Sequence, residues 1–325
     1  MKKGITLAIV GATGLVGSYF ISILNELDLP ISNIRLFASI KSKGRQIKFK
    51  DKTYFVEELS NADLNDIDYA LFSAGQDVAE TYIPIFVNKG IKVIDNSSFF
   101  RMKKDVPLVV PEINFEDISK DTMLIANPNC STIQSIVPLY FINKEFGLKK
   151  IYYSTYQSVS GSGIKGIFDL ESAIEGYPYE FYEVDISKYC YPLIGEIDEK
   201  GYSKEETKMV NESKKILKND NLDIEATCVR VPIKYGHGVS IIFETEKEIQ
   251  IQELIKIFKN NSILKYHDKI SFPEDVTKDD YIHLMRFRVS KENSKRGMLY
   301  CFSNNLRKGA ALNAVQILQR LLESW

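Results

Sequence analysis

Residues 5–17 read ITLAIVGATGLVG, and this stretch decides the fold class of the N-terminal half of the chain. An apolar, strand-forming run over Ile5–Val10 meets glycines at Gly11, Gly14 and Gly17, and a helix-like apolar pattern follows. A strand, a glycine turn and a helix in this order begin a dinucleotide-binding βαβ unit. Such glycines let a pyrophosphate approach the backbone, and the helix N-terminus supplies free N–H groups. The stretch therefore predicts a nucleotide site, although a glycine turn that only packs against a helix has the same pattern.

Short apolar runs and amphipathic stretches continue to alternate up to about Cys130. This alternation predicts a Rossmann-type domain, a parallel sheet with helices on its faces. The further strand candidates are Ile34–Ala38, Tyr69–Ser73, Ile91–Ile94 and Leu124–Ala126, and the helix candidates are Val16–Leu27 and Val78–Lys89.

Beyond Cys130 the strands become longer, which predicts an α+β domain with a mixed, largely antiparallel sheet. A helix is expected from Cys130 to about Phe146, and the segment Glu171–Gly201 is predicted to be a surface excursion. The strand candidates are Ile151–Val159, Ile224–Ile233, Val239–Glu246, His283–Val289 and Gly297–Ser303. A last helix, Gly309–Leu322, is expected to pack on the first domain. We predict a dinucleotide-binding domain of residues 1–129 and 306–325, and a catalytic and oligomerisation domain of residues 130–305.

Composition narrows the class of protein. The chain has 325 residues, 44% of them hydrophobic and 26% charged, and its net charge is −1. This charge excludes a nucleic-acid or anionic-membrane binder that works through bulk charge, and no apolar stretch reaches spanning length, so the expected partner is a small molecule. Four cysteines without a C-x-x-C pattern indicate neither a disulfide framework nor a metal site. A cytoplasmic location is therefore expected.

The loop after the second strand candidate indicates which nucleotide is bound. NAD sites usually place an Asp or Glu about 20 residues after the glycine turn, to bond the ribose 2′-hydroxyl. No acidic residue lies between Asp28 and Asp51, and this window offers Ser39, Lys41 and Ser42 instead. Hydroxyls and cations suit a 2′-phosphate. The loop therefore favours NADP, with a solvated basic loop as the alternative.

Cys130 is the candidate nucleophile because it follows the turn-forming residues Asn127-Pro128-Asn129 and precedes an apolar helix pattern. A thiol at a helix N-terminus is favoured as thiolate. Neighbouring N–H groups and the Asn129 side chain would stabilise an oxyanion on an attacked carbonyl. The other cysteines are predicted to be small buried hydrophobes, and they are Cys190, Cys228 and Cys301.

His237 is the candidate acid or base among only three histidines. It lies in Tyr235-Gly236-His237-Gly238, which is predicted to be a turn between two strands, although a turn histidine is often merely exposed. His267 stands in a charged stretch and His283 begins a strand, so both are predicted to be incidental.

The chain resembles one known family in six motifs that occur in the same order. The motifs are GATGLVG (11–17), DNSSFFR (95–101), NPNCSTIQ (127–134), TYQSVSGSG (155–163), ATCVRVPI (226–233) and SNNLRKGAALNAVQ (303–316). Together they resemble the bacterial aspartate-β-semialdehyde dehydrogenases from residue 3 to about 320. This resemblance implies that NADPH reduces β-aspartyl phosphate to aspartate β-semialdehyde and phosphate through a cysteine thioester, on the route to Lys, Met, Thr and Ile.

The resemblance also implies a role for each matching residue. The expected catalytic residues are the nucleophile Cys130, the acid or base His237 and Gln157, which orients the acyl intermediate. The expected substrate contacts are Arg101 and Lys208 for phosphate, Arg230 for the α-carboxylate, Glu205 for the ammonium, and Asn129. The expected cofactor contacts are Gly11, Thr13, Gly14, Leu15, Val16, Gly17, Ser39, Lys41, Ser42, Ser73, Gly75, Ser160, Gly163 and Asn305. The expected assembly is a homodimer or homotetramer.

Alternatives remain at this stage. An N-acetyl-glutamyl-phosphate reductase uses the same thioester chemistry, but its substrate lacks the ammonium that Glu205 would meet. A related acyl-CoA reductase is a second enzymatic alternative. A non-catalytic paralogue is the third, and it would be expected to have lost Cys130, Gln157 or His237, which are all present.

Overall fold

The computed structural model describes residues 4–324, which form two compact units. The first unit comprises the chain up to Pro128 together with the segment that starts at Ala310, and the second comprises Asn129–Gly309. Each unit is built around one β-sheet. The unit borders fall close to the predicted domain borders without coinciding with them.

The first unit contains a seven-stranded sheet in the spatial order β3-β4-β2-β1-β5-β6-β7. Its strands are β1 (Ile5–Val10), β2 (Ile31–Ala38), β3 (Gln46–Phe49), β4 (Lys52–Glu58), β5 (Tyr69–Phe72), β6 (Lys92–Asp95) and β7 (Leu124–Ala126). All neighbours are parallel except the β3–β4 pair. The strand order reverses at β1, and open α/β sheets bind ligands beyond the carboxyl ends of the strands at such a point.

Helices cover both faces of this sheet. They are α1 (Leu15–Glu26), α2 (Gln76–Asn88), α3 (Pro111–Asn114) and α8 (Leu312–Ser324). Leu7 and Ile9 of β1 belong to the apolar cluster that includes α1 and α8, whereas Ala8 and Val10 belong to the cluster that includes α2. A strand buried on both faces is a continuous apolar run, which explains why the sequence identifies β1 correctly.

Two features of the first unit differ from the sequence prediction. The β3–β4 hairpin is absent from that prediction, because its polar strands (46–58, QIKFKDKTYFVEE) lack a long apolar run and lie at the sheet edge. The chain reverses at Lys50, whose φ of 51° is left-handed. The last helix begins at Leu312 rather than Gly309, after a π-helical turn over Arg307–Ala311.

The second unit contains a six-stranded sheet in the spatial order β11-β12-β13-β10-β8-β9. Its strands are β8 (Leu148–Gln157), β9 (Asp223–Arg230), β10 (His237–Thr245), β11 (Leu264–Tyr266), β12 (Ile282–Val289) and β13 (Arg296–Ser303). The β8–β9 and β11–β12 pairs are parallel and the other pairs are antiparallel. The predicted mixed, largely antiparallel sheet is confirmed.

Helices cover one face of this second sheet. They are α4 (Cys130–Phe146), α6 (Lys204–Leu217) and α7 (Ile251–Lys259), whereas α5 (Gly163–Glu175) packs against the 3₁₀ turn Val159–Ser162. Helix α4 contacts α6, α7 and the strands β8, β10 and β13. Tyr153 and Thr155 of β8 are buried, whereas Tyr152, Tyr156 and the neighbouring Ile242 of β10 are exposed. The opposite sheet face is therefore open in the single chain, and residues 176–203 connect α5 to α6 without a helix or strand.

Candidate functional site

The glycine turn between β1 and α1 borders a cavity of about 460 Å³. Five predicted cofactor contacts line this cavity, and they are Gly11, Thr13, Gly14, Ser39 and Ser73. They lie at or just beyond the carboxyl ends of β1, β2 and β5, where the strand order reverses. The structure thus brings together residues that are separated by more than 60 positions along the sequence.

The backbone of the turn requires glycine at two positions. Gly11 has a φ of +88°, and a Cβ there would lie 2.7 Å from the carbonyl oxygen of Ser73. A Cβ on Gly17 would lie 2.1 Å from the carbonyl oxygen of Gly11, so α1 packs directly on the turn. Gly14 is the N-cap of α1 and supplies no side-chain acceptor to the first N–H groups of the helix. These features fit a pyrophosphate, which would accept from those N–H groups.

Hydroxyl and charged groups line this cavity or lie on the turn beside it. Ser42 Oγ lies 3.3 Å from Thr13 Oγ1, and Lys41 is exposed on the same turn after β2. Glu58, Ser60 and Tyr82 also line the cavity and are absent from the sequence prediction. Glu58 reaches it because β4 pairs with β2, which places Glu58 opposite Ala38. In the sequence, the only signal for Glu58 is the acidic pair Glu57-Glu58 at the end of β4.

Glu58, at the wall of the nucleotide cavity, forms a hydrogen bond and an ion pair with neighbouring residues. Its carboxylate accepts a hydrogen bond from Ser60 (2.8 Å) and lies 3.2 Å from Lys43 Nζ. The Ser60 hydrogen bond and the Lys43 charge lower the pKa of Glu58, which is therefore ionised. Because a hydroxyl and a cation neutralise this carboxylate, the phosphorylated ribose of NADP can be bound beside it.

The other predicted cofactor contacts lie at helix starts or in the second unit. Leu15 and Val16 begin α1, and Gly75, with a φ of +89°, is the N-cap of α2. In the second unit, Gly163 begins α5 with a φ of +76°.

Cys130 is the first residue of α4, as the sequence predicts. Asn129 caps this helix, because its Oδ1 accepts hydrogen bonds from the backbone N–H groups of Ser131 (2.9 Å) and Thr132 (3.3 Å). A Cβ on Gly309 would lie 3.1 Å from Cys130 Cβ, so the chain passes close to the thiol. The partial positive charge of a helix N-terminus favours a thiolate at this position.

Two buried carboxylates of α6 hold Asn129. Glu205 accepts a hydrogen bond from Asn129 Nδ2 (2.8 Å), and Glu212 accepts one from the Asn129 backbone N–H (2.6 Å). The two glutamates are seven residues apart and therefore share one face of the helix. Glu212 is absent from the sequence prediction, although this spacing marks it. The Asn129 amide, predicted to contact the substrate, is already engaged by Glu205 and the helix N-terminus.

Gln157 and Lys208 complete the surroundings of Glu205. Gln157 ends β8, and its Nε2 donates to Ser131 Oγ (2.7 Å) and to Glu205 (3.3 Å). Lys208 Nζ lies 3.2 Å from the other oxygen of Glu205. Burial by itself raises the pKa of Glu205, but the charge of Lys208, the hydrogen bonds and the charge of Arg230 lower it overall. Glu205 is therefore a buried, ionised carboxylate.

Arg230 and His237 both lie against Gly161. Arg230 ends β9, is 4% exposed and donates from Nη1 to the carbonyl oxygen of Ser158 (2.7 Å). A Cβ on Gly161 would lie 2.7 Å from Arg230 Nη1 and 3.2 Å from His237 Nε2. Glycine at position 161 therefore lets both groups pack closely against the backbone.

His237 does not lie in the turn that the sequence predicts, because it begins β10, and its side chain is fully buried. It pairs with Ser303 of β13, and Gln134 Nε2 donates to its carbonyl oxygen (2.9 Å). The turn ends one residue earlier, at Gly236 with a φ of +85°. Burial and the charge of Arg230 lower the pKa of His237 to about 3.

Ser158, Ser160 and Asn305 form a buried hydrogen-bond network beside His237. Asn305 Oδ1 accepts from both hydroxyls (3.2 Å each) and from the backbone N–H of Gly236 (3.0 Å). Ser160 and Asn305, predicted to contact the cofactor, are each 2% exposed. Within the second unit their side chains support the turn that precedes His237.

The remaining candidates are described within their own units. Arg101 belongs to the first unit, where it is 7% exposed and donates to the carbonyl oxygen of Asn96 (2.9 Å). Cys228 and Cys301 are buried as predicted, and burial raises the pKa of Cys301 to about 12. The prediction for Cys190 is wrong, because this thiol is exposed on the irregular segment between α5 and α6.

His267 and His283 interact with each other rather than standing alone. His267 Nε2 lies 2.8 Å from His283 Nδ1, and His283 Nε2 lies 2.8 Å from Asp279. No group of three His, Cys, Asp or Glu side chains within residues 4–324 is arranged to hold a metal ion. No helix in the described part of the chain is long and apolar enough to cross a membrane.

Two family models match most of the chain. The model described as semialdehyde dehydrogenase, NAD binding domain, matches residues 6–121, and that described as semialdehyde dehydrogenase, dimerisation domain, matches residues 139–308. The fold and the site thus define a semialdehyde dehydrogenase. The aspartate-semialdehyde dehydrogenase of Campylobacter jejuni is 43% identical over 99% of both chains, and that of Aquifex aeolicus is 40% identical over 98% of both. The chain belongs to the aspartate-semialdehyde dehydrogenase family.

Solved structures have the same fold. Aspartate semialdehyde dehydrogenase II of Vibrio cholerae, crystallised with ASA, matches with a TM-score of 0.96 and 36% identity over 100% of both chains. The enzyme of Candida albicans, solved with NADP, matches with a TM-score of 0.77 and 23% identity over 98% of both chains. The predicted two-domain α/β fold is confirmed.

Proposed function

We propose that Cys130 performs the covalent step of the aspartate-semialdehyde dehydrogenase reaction in this chain. The enzyme is an NADP-dependent phosphorylating aldehyde dehydrogenase of amino-acid biosynthesis, and it reduces aspartyl phosphate with NADPH. The observation that carries the proposal for Cys130 is its position at the start of α4, next to an N-cap that Glu205 and Glu212 hold.

The charges of the second unit complement a substrate that has a carboxylate, an ammonium and a phosphate. We assign the α-carboxylate to Arg230, because a buried guanidinium binds carboxylates through two parallel hydrogen bonds. The ammonium is assigned to Glu205, which is buried and ionised. The phosphate is assigned to Lys208, whose Nζ lies at the rim of the same cluster. Phosphate binding by Arg101 stays a prediction.

The proposed reaction proceeds through a thioester. The Cys130 thiolate attacks the acyl carbon of β-aspartyl phosphate, the carbon–oxygen bond to phosphate breaks, and a thioester remains on the enzyme. Gln157 lies against Ser131 and Glu205 and orients the acyl group. NADPH supplies a hydride when bound. Collapse of the resulting tetrahedral state releases the aldehyde and returns the electron pair to Cys130, with His237 at the acyl oxygen as its acid, base or hydrogen-bond donor.

For the cofactor, we propose a preference for NADP over NAD. Ser39 lines the nucleotide cavity and Lys41 lies on the adjoining turn, where a 2′-phosphate would be bound. Glu58 is already neutralised by Lys43 and Ser60 and therefore repels the phosphate less than a free carboxylate would.

The second unit matches a dimerisation domain, which supports an oligomeric enzyme. We propose a homodimer in which the open sheet face contributes to the contact, because Tyr152, Tyr156 and Ile242 are exposed there. A homotetramer is the alternative assembly. Within residues 4–324 the four cysteines form no disulfide, which fits a reducing compartment, the cytoplasm.

The proposed chemistry is tested by the reverse reaction. Purified enzyme is given aspartate β-semialdehyde, phosphate and NADP, and the formation of NADPH is followed by the absorbance of the reduced nicotinamide. Parallel assays replace the aldehyde by N-acetyl-glutamate semialdehyde, phosphate by coenzyme A, and NADP by NAD. We expect phosphate-dependent activity with aspartate semialdehyde and NADP. A preference for N-acetyl-glutamate semialdehyde or coenzyme A would establish one of the related reductases instead.

The role of Cys130 is tested with matched cysteine variants. Cys130→Ala is expected to lose turnover while it still binds NADP, because the thioester is no longer formed. Cys190→Ala is the control, since this exposed thiol takes no part in the proposed reaction and its removal should leave the rate unchanged. Activity in Cys130→Ala comparable to that of the control variant would contradict the covalent mechanism.

A further inference from the structure

We infer that Glu58 accepts the ribose 2′-hydroxyl of NAD, so that the nucleotide cavity binds NAD as well as NADP, and that the ion pair of Glu58 with Lys43 sets the ratio of the two affinities. This inference rests on the proposed function and adds a second cofactor to the preferred one. Three observations on the first unit support it: the place of Glu58 in the sheet, the acceptor capacity of its carboxylate, and the exposure of Lys43.

The sheet places Glu58 where NAD sites have their acidic residue. Such sites usually place an Asp or Glu at the end of the second strand, where it bonds the ribose 2′-hydroxyl. That strand, β2, ends at Ala38, whose side chain is apolar. The parallel neighbour β4 places Glu58 in register with Ala38, and adjacent strands lie about 4.8 Å apart. Both residues line the nucleotide cavity, so β4 supplies the carboxylate that β2 lacks.

The preceding acid, Glu57, does not share this position. Side chains alternate between the two faces of a strand. Glu57 accepts a hydrogen bond from Arg35 Nε at 2.9 Å, and Arg35 also pairs with Asp66. Of the two neighbouring glutamates, only Glu58 lines the nucleotide cavity. The inference therefore concerns Glu58 alone.

The carboxylate of Glu58 keeps acceptor capacity for a ligand. Ser60 Oγ donates to Oε1 at 2.8 Å, and Lys43 Nζ donates to Oε2 at 3.2 Å. An ionised carboxylate has about four lone-pair sites, so each oxygen can accept a further hydrogen bond. The Ser60 hydrogen bond and Lys43 lower the pKa of Glu58, which keeps it ionised at neutral pH. Hydrogen bonds to ionised acceptors are stronger than those to neutral ones, and the ribose hydroxyls of NAD are suitable donors.

Lys43 explains how the same cavity accepts the 2′-phosphate of NADP. Two backbone hydrogen bonds of 2.9 Å hold its turn against β4, from Gly44 N–H to the carbonyl oxygen of Val56 and from Val56 N–H to that of Arg45. The Lys43 side chain is 59% exposed. An ammonium group has three N–H donors, so one can bond Glu58 while the others are available to a phosphate. The cation thereby offsets the repulsion between Glu58 and the 2′-phosphate.

The two charges thus act in opposite directions on the choice of cofactor. The carboxylate favours an unmodified ribose and repels a phosphorylated one, whereas the cation favours the phosphate. NADP remains preferred, because Ser39 lines the cavity and Lys41 lies on the adjoining turn. The preference is smaller than it would be without Glu58.

The inference is tested by measuring the Kd of NAD and of NADP by calorimetry. The proteins are the wild type, Glu58→Gln and the control Glu80→Gln, which removes the same charge from an exposed position of α2. We expect wild type to bind both nucleotides, with NADP bound more tightly. In Glu58→Gln the Kd of NAD should rise about fivefold, the difference between a charged and a neutral hydrogen bond, and the Kd of NADP should fall about two- to fivefold.

The ratio of the two Kd values therefore moves about 10- to 25-fold towards NADP in Glu58→Gln, whereas Glu80→Gln keeps the wild-type ratio. A wild-type protein that binds NADP but not NAD would overturn the inference. A ratio in Glu58→Gln equal to that of the control variant would overturn it as well.

The part played by Lys43 is tested by a double-mutant cycle. Lys43→Gln is expected to weaken NADP binding more than NAD binding, because it leaves Glu58 without its cation. The loss in NADP affinity should be smaller when Lys43→Gln is combined with Glu58→Gln, since no carboxylate is then left to neutralise. Equal losses in both backgrounds would contradict the coupling of Lys43 to Glu58. Because binding is measured without turnover, failure of the proposed function appears separately, as absent phosphate-dependent activity.

Discussion

Substituting Gly161 by alanine is expected to weaken substrate binding without a large effect on the cofactor. The backbone at Gly161 is outside the left-handed region, so alanine causes no conformational strain there. The added methyl group, however, would lie 2.7 Å from Arg230 Nη1 and 3.2 Å from His237 Nε2. Both groups are buried and cannot move freely into solvent.

The size of the effect follows from these distances. Ordinary contact needs about 3.5 Å, so the guanidinium must move away by about 0.8 Å. A displacement of this size removes a charge-assisted hydrogen bond to the substrate carboxylate, which contributes about 1.5–3 kcal/mol. This loss corresponds to a rise of about 10- to 150-fold in the KM for aspartate semialdehyde.

Initial rates of Gly161→Ala are measured against aspartate semialdehyde and against NADP, with thermal unfolding as a check on folding. Gly14→Ala is the reciprocal control, because its Cβ would lie 3.3 Å from the carbonyl oxygen of Gly11 in the nucleotide turn. We expect Gly161→Ala to raise the KM for the aldehyde and Gly14→Ala to raise that for NADP. A folded Gly161→Ala enzyme with an unchanged KM for the aldehyde would refute the assignment of Arg230.

Three further predictions concern stability and cofactor binding. Glu212→Leu removes the acceptor of the buried Asn129 N–H and is expected to lower the free energy of unfolding by about 1.5–3 kcal/mol in urea titrations. Glu212→Gln keeps an oxygen acceptor and is expected to lose less stability. Equal losses in the two variants would contradict this role of Glu212. In Gly17→Ala the new Cβ would overlap the carbonyl oxygen of Gly11, so the variant is expected to be about 1–3 kcal/mol less stable and to bind NADP more weakly in calorimetry. Unchanged binding and stability would show that α1 can shift to make room for the methyl group. The pKa of His237 is about 3 in the folded chain against 6.5 for an unperturbed histidine, so the unfolded state binds the proton first and stability falls as the pH decreases from 6.5 towards 3. His237 accounts for a loss of about 1.4 kcal/mol of unfolding free energy per pH unit. His237→Gln should therefore show a shallower dependence of unfolding free energy on pH between about 6 and 4.5. Equal slopes would mean that another group takes up the proton on unfolding.

The sequence predicts those elements whose burial leaves a continuous pattern. Strand β1 is apolar on both faces because helices cover both sides of its sheet, so it is identified together with the glycine turn that follows. Helix α4 is predicted because Asn129 caps it at the residue before Cys130. The motifs of the family then place the main site residues at strand ends and helix starts.

The elements that the sequence does not predict depend on neighbours distant in the chain. The β3–β4 hairpin is polar and at the sheet edge, so Glu58 reaches the nucleotide cavity only through the pairing of β4 with β2. Cysteine is a residue type that is usually buried, but Cys190 is exposed because it lies on an irregular segment that no sheet or helix covers.

The sequence by itself determines the fold class, the glycine turn, the cysteine at the helix start and the family. Only the tertiary structure decides the states of the groups around that cysteine. Glu205 is ionised because Asn129 from the start of α4 and the charge of Arg230 from β9 add to the effect of its helix neighbour Lys208. The proton of neutral His237 is on Nε2 because the backbone of Ser158 donates to Nδ1. Protonation state and hydrogen-bond direction depend on distances of a few ångströms between residues remote in sequence, and no local pattern encodes those distances.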